Sequence, residues 1–215
     1  MIVTCWSVKG GSGTTVVAAA LSLLLARRCP QGAVAVDLGG DLPAALGLAE
    51  PAGPGVLDWL AAGSDVAPDA LERLAVDAGA GLRLLARGAG PLPDDGGDRL
   101  LAAVAPPTGA AAVVDAGPMS GLGTAMAAGA TVSLLVLRPC YLALRRALAA
   151  PLRPSAVVLI AEPGRSLDAR DVEDVLGVPV RAVVPFDAGI ARCVDAGLLS
   201  SRLPRPLVAA LRAAA

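Results

Sequence analysis

Apolar residues along this chain fall in short runs that alternate with longer segments of helical periodicity. Residues 1–8 carry Ile2, Val3, Cys5, Trp6 and Val8 in near-continuous succession, the signature of a strand buried on both faces. Residues 16–26 are Ala- and Leu-rich and predict a buried helix. Further strands are predicted over 33–36, 82–86, 110–114, 131–137, 156–160 and 180–184. Helices are predicted over 56–62, from Pro68 through Leu71, Leu74 and Ala75, and over 94–104, with Asp94, Asp95 and Asp98 in the first turn of the last. More are predicted around Leu142, Leu144 and Leu148 and over 168–176, 188–196 and 206–214. Strands that alternate with helices in this way predict an α/β fold: a three-layer, doubly wound, mostly parallel sheet with helices on both faces. No repeat or low-complexity linker divides residues 1–215, so one domain is expected.

Composition sharpens the picture at three points. Hydrophobic residues make up 55% of the chain, enough to raise the question of a membrane span. The longest uncharged stretch, 116–137, is broken by Gly117, Pro118, Gly121, Gly123 and Gly129, so it predicts a loop, a helix and a strand instead. The apolar segment 16–26 follows a strand and runs straight into Arg27 and Arg28, which argues against a signal peptide. Absence of histidine excludes His-based triads and metal sites. Cys5, Cys29, Cys140 and Cys193 form no CxxC pair, so free thiols in a cytoplasmic protein are expected. A formal net charge of −1 argues against strong non-specific DNA binding, although a local arginine patch would escape that argument.

Candidate chemistry sits between the first strand and the first helix. Lys9-Gly10-Gly11-Ser12-Gly13-Thr14-Thr15 has the glycines that let successive backbone N–H groups point at one anion. A helix N-terminus adds partial positive charge. Thr15 falls where a hydroxyl ligates nucleotide-bound Mg²⁺. Lys9 is the only lysine in the chain, and all other basic residues are arginine. Asp37 and Asp115 each close a strand, which places both carboxylates at the mouth of a parallel sheet.

This loop resembles the deviant Walker A sequence, Lys-Gly-Gly-x-Gly-Lys-Ser/Thr, of the ParA/MinD family of P-loop ATPases. It matches at Lys9, Gly10, Gly11, Gly13 and Thr15 and departs at Thr14, where the family has a second lysine. The resemblance implies that Lys9 reaches across a homodimer to the partner's nucleotide. It implies that residues 37–42 are a switch I segment, whose usual second aspartate is replaced by Gly39. Asp41 stands two residues on and reads equally as a helix N-cap. Residues 113–118 resemble the Walker B and switch II segment, with Asp115 holding Mg²⁺ through water and Gly117 sensing the γ-phosphate. Residues 184–187, including Pro185, resemble the loop whose backbone lies near the base. Where relatives carry an asparagine to read adenine, this chain has Ala161-Glu162-Pro163.

The implied function is a cytoplasmic, dimeric, ATP- and Mg²⁺-dependent positioning or partitioning switch, of the chromosome-partitioning, division-site or TadZ/CpaE-like kind. Its partner is an unidentified protein cargo. Arg145-Arg146 offers a site for an acidic partner or DNA, or simply a solvated helix face. Thr14 removes a charge at the phosphates and Gly39 a carboxylate near the attacking water, so slow or absent hydrolysis is expected. The alternative is a pseudo-ATPase scaffold that dimerises without nucleotide. A metabolic ligase on the same fold would need a substrate-binding segment, and none is evident.

Overall fold

The computed structural model describes residues 1–67 and 69–215. Its centre is an eight-stranded sheet in the order β3-β4-β2-β5-β1-β6-β7-β8. The strands are β1 (Ile2–Ser7), β2 (Ala33–Asp37), β3 (Val76–Gly79), β4 (Leu82–Leu85), β5 (Ala111–Pro118), β6 (Val132–Leu137), β7 (Ala156–Ala161) and β8 (Val180–Pro185). All neighbours pair in parallel except β3, which lies antiparallel on β4 at the edge. This is the mostly parallel, helix-covered sheet that the alternation of strands and helices predicts.

Ten helices are described: α1 (Thr14–Arg28), α2 (Leu42–Leu46), α3 (Val56–Ala61), α4 (Ala70–Arg73), α5 (Gly97–Ala103), α6 (Gly121–Gly129), α7 (Tyr141–Leu148), α8 (Ala169–Leu176), α9 (Ala188–Asp195) and α10 (Arg205–Leu211). On one face of the sheet α1 is overlaid by α2 and α10, with α9 packed against α2, around a core that includes Leu21, Leu25, Val113, Val136, Leu207 and Leu211. The other face carries α3 to α6 over Val36 and Val114, then α7 and α8 over Trp6 and Leu135. Because α1 is covered on both sides, it is apolar around most of its circumference, and Leu21 and Leu23 are fully buried. Each such leucine contributes about 2 kcal/mol by leaving water.

From β1 the chain crosses outward to β2, whereas from β5 it passes to β6 on the far side of β1. Two connections therefore diverge at the centre of the sheet, and the crevice above the strand C-termini there is where such sheets bind ligands. Trp6 pins β1 to β6 through an indole N–H donated to Ser133 Oγ at 2.9 Å. Among the described residues no helix is long and apolar enough to cross a membrane.

Two expectations need correction. β5 does not stop at residue 114 but runs to Pro118, so Asp115 lies within the strand and not at its end. A register shift opposite Cys5 and Trp6 lets it continue past the carboxylate. The helix α5 starts at Gly97, after the left-handed Gly96, so Asp94 and Asp95 precede it and only Asp98 is in its first turn. β3 is not predicted by the sequence, whereas α2 follows Asp41 at the N-cap position the sequence offers. The helix expected to open at Pro68 has its first residue outside the described ones; α4 covers only Ala70–Arg73.

Candidate phosphate and nucleotide site

The loop between β1 and α1 curls at two glycines. Gly11 has φ 72° and Gly13 φ 86°, the left-handed region where an added Cβ is strained. Gly13 is the residue that caps α1. Ser12 and Ser7 brace the loop from inside, each donating its hydroxyl to the Lys9 carbonyl, at 2.9 and 3.0 Å. Among the described residues the N–H groups of Gly10 to Thr15 donate to no protein acceptor. The space beside Gly10 and Gly11 is open. A row of free amides at a helix N-terminus is the geometry that binds a phosphate.

Asp37 and Asp115 stand opposite each other in the β2–β5 register, and both are fully buried. Asp37 accepts from the N–H groups of Gly40 (2.7 Å) and Leu42 (3.2 Å), which shapes the loop before α2. Burial raises its pKa to about 7, with the neighbouring Asp115 charge adding to the rise and the two amides opposing it. Burial also raises the pKa of Asp115, opposed by the Thr15 hydroxyl and the Gly117 amide. Asp115 Oδ1 accepts from Gly117 N at 3.0 Å, whereas its Oδ2 is buried and has no hydrogen-bond partner. An orphaned buried carboxylate oxygen beside a threonine hydroxyl fits Mg²⁺, which takes one or two protein oxygens and completes its shell with phosphate and water.

The structure gathers Thr15, Asp37, Asp115 and Gly117 at this spot. A Cβ on Gly39 would lie 3.2 Å from Asp115 Oδ2 and 3.7 Å from Asp37 Oδ1, so that position faces both carboxylates. Asp41 is close enough to push both carboxyl pKa values upward, yet it is exposed and caps α2 without a side-chain hydrogen bond. Thr14 is buried in the first turn of α1. Lys9 is half-buried, and its ammonium makes no ion pair among the described residues.

Beside the loop opens a cavity of about 270 Å³, walled by Gly11, Gly13, Ile160, Val184, Pro185 and Phe186. Sequence reasoning placed Pro185 here but missed Arg138. The Arg138 guanidinium follows β6 directly, donates to the Gly11 carbonyl at 3.1 Å and pairs with the Glu162 carboxylate. It lies 5.2 Å from the centre of the Phe186 ring. Its signal in the sequence was its place, as the first charge after the long neutral stretch, on the strand next to β1.

No protein-family model matches the chain, and no curated protein matches it. Solved structures do match in fold. The ParA family ATPase from Chlorobium tepidum is 19% identical, with 98% of this chain and 96% of that one covered at a TM-score of 0.77. MinD from Pyrococcus horikoshii, a septum site-determining protein complexed with Mg-ADP, is 21% identical over 99% and 93% at 0.77. An ATP complex of McdA from Cyanothece is 16% identical over 99% and 95% at 0.70. The chain thus has the fold of ParA- and MinD-type ATPases over nearly its whole length.

Proposed function

We propose that this chain is a ParA/MinD-like positioning or partitioning switch that binds ATP and Mg²⁺ and closes into a dimer, with weak or no hydrolysis. The observation that carries the reading is the buried, unpartnered Asp115 Oδ2 beside Thr15, at the foot of a loop whose amides are free. The fold shared with nucleotide-bound MinD and McdA structures supports it.

In this reading the loop amides and the α1 terminus hold the phosphates, while Thr15 and Asp115 hold Mg²⁺, which neutralises phosphate charge when bound. Gly117 and the Asp37 loop are placed to respond to the γ-phosphate. Lys9, whose ammonium has no ion-pair partner among the described residues, is the group left to complete the site of a second copy. Protein cargo would dock elsewhere. Exposed Tyr141, Leu142 and Leu148 beside Arg145 and Arg146 give α7 a surface of mixed apolar and basic character for it.

Weak hydrolysis follows from Thr14 and Gly39, which leave the site short of one cation and one carboxylate. The same two positions favour the second reading, a scaffold that dimerises without nucleotide. Light scattering separates the two. Dimer formation that requires ATP·Mg²⁺ and is lost in Lys9→Ala supports the switch; a dimer indifferent to both supports the scaffold.

A further inference from the structure

We propose that Arg138 is the positioning cation of the phosphate loop. Bound to the Gly11 carbonyl, its charge polarises the Gly11–Ser12 peptide so that the Ser12 N–H holds a polyphosphate more tightly, and Glu162 sets how much of that charge the loop feels. This rests on the reading of the loop as a phosphate site.

One peptide unit links Arg138 to the anion. The Arg138 guanidinium donates to the Gly11 carbonyl at 3.1 Å. In a trans peptide the N–H points opposite to the C=O of the same unit, and no cis bond is present among the described residues. The Ser12 N–H therefore points away from Arg138, and it is one of the loop amides that donate to no protein acceptor. A charged donor on the carbonyl draws electron density through the planar unit and makes the N–H at its other end a stronger donor. Arg138 thus stands behind the loop and acts on an anion in front of it. The Lys9 carbonyl accepts only from the Ser7 and Ser12 hydroxyls, and that of Gly13 from the Val17 amide of α1. Among the described residues, Arg138 is the one charged side chain bonded to a loop carbonyl.

Glu162 tempers this cation. Its carboxylate pairs with Arg138 and also accepts from Arg165 Nε at 2.7 Å. Two guanidinium groups against one carboxylate leave a net positive charge behind the loop. The side chains of Glu162 and Arg138 are 11% and 29% exposed, so salt and water screen them less than a surface pair. Charge delivered through the peptide strengthens the grip on a bound anion. It places no cation on the reacting phosphate, in keeping with the weak hydrolysis proposed above.

Calorimetric titration of the whole chain with inorganic tripolyphosphate tests this, since that probe has phosphates and neither base nor sugar. The wild type should bind it. Arg138→Gln keeps an amide donor and loses the charge, and affinity should fall about tenfold. Arg138→Lys keeps the charge and should stay within about threefold of wild type. Glu162→Gln loosens the tie on Arg138 but removes a negative charge, so affinity should rise about threefold. A purely mechanical brace predicts a fall there instead. Circular dichroism establishes that each variant is folded. Full affinity in Arg138→Gln, weaker binding in Glu162→Gln, or Arg138→Lys as weak as Arg138→Gln would each overturn the role given to Arg138 and leave the phosphate site standing. Folded wild-type protein that binds no tripolyphosphate would sink both.

Discussion

Asp37 and Asp115 face each other across β2 and β5 at matching register, two carboxyl groups withdrawn from water with one oxygen of Asp115 left unpartnered. A fold does not ordinarily bury such a pair without a compensating cation. In metal-free protein burial pushes the pKa of the folded Asp37 up to about 7, against the ordinary 3.8 when unfolded. The folded state therefore binds more protons between those values, and its stability must fall as pH rises. The stabilisation is complete below about pH 4 and is lost by about pH 7, with a ceiling of about 4 kcal/mol. Urea denaturation across pH 4.5–7.5 should show that slope, and Asp37→Asn should reduce it to the part that the raised Asp115 carboxyl supplies.

Asp115→Asn should leave the fold intact, because it removes a buried charge and keeps the shape. Nucleotide affinity in Mg²⁺ should fall about 10- to 100-fold, and the difference between Mg²⁺ and EDTA should shrink. Circular dichroism and titration together check both halves of the expectation.

Thr14→Lys restores a cation in the first turn of α1, at the position where the resembled loop carries its second lysine. It should tighten ATP binding about tenfold. Adding Gly39→Asp places a carboxylate against Asp37 and Asp115. That pair of changes should raise phosphate release above the wild-type rate only when Mg²⁺ is present, and should destabilise the metal-free protein through like-charge crowding. A phosphate-release assay and thermal melts read the two effects separately.

Gly13→Ala forces a Cβ into a left-handed conformation at the residue that caps α1. About 1–2 kcal/mol of stability should be lost. ATP and tripolyphosphate affinity should fall together, since the change acts on the loop backbone that would hold the phosphates. Melting curves and titrations of the variant check this.

How far the sequence reached is clearest at particular residues. The order of strands and helices was legible because buried parallel strands and covered helices write continuous apolar runs, as in β1 and α1. The loop was legible because its glycines and Thr15 are local in sequence. Val76–Gly79 escaped because an edge strand with exposed Val76, Asp77 and Gly79 carries no apolar run. Asp115 was placed at a strand end because a carboxylate in the middle of a buried strand contradicts burial rules; the site that explains it is tertiary. Arg138 escaped for the same reason, since Gly11, Glu162 and Phe186 meet it only once β1, β6, β7 and β8 are aligned. That Gly39 points at both carboxylates was likewise invisible until β2 and β5 paired.

In the proposed reading, free main-chain amides and the Thr15–Asp115 pair bind a nucleotide even though Thr14 stands where a lysine would. Isothermal titration of the wild-type chain with ATP in Mg²⁺ tests it most directly. One ATP per chain, with binding weakened by EDTA and by Asp115→Asn, is the predicted result. A flat titration at millimolar ATP from protein shown to be folded would contradict it.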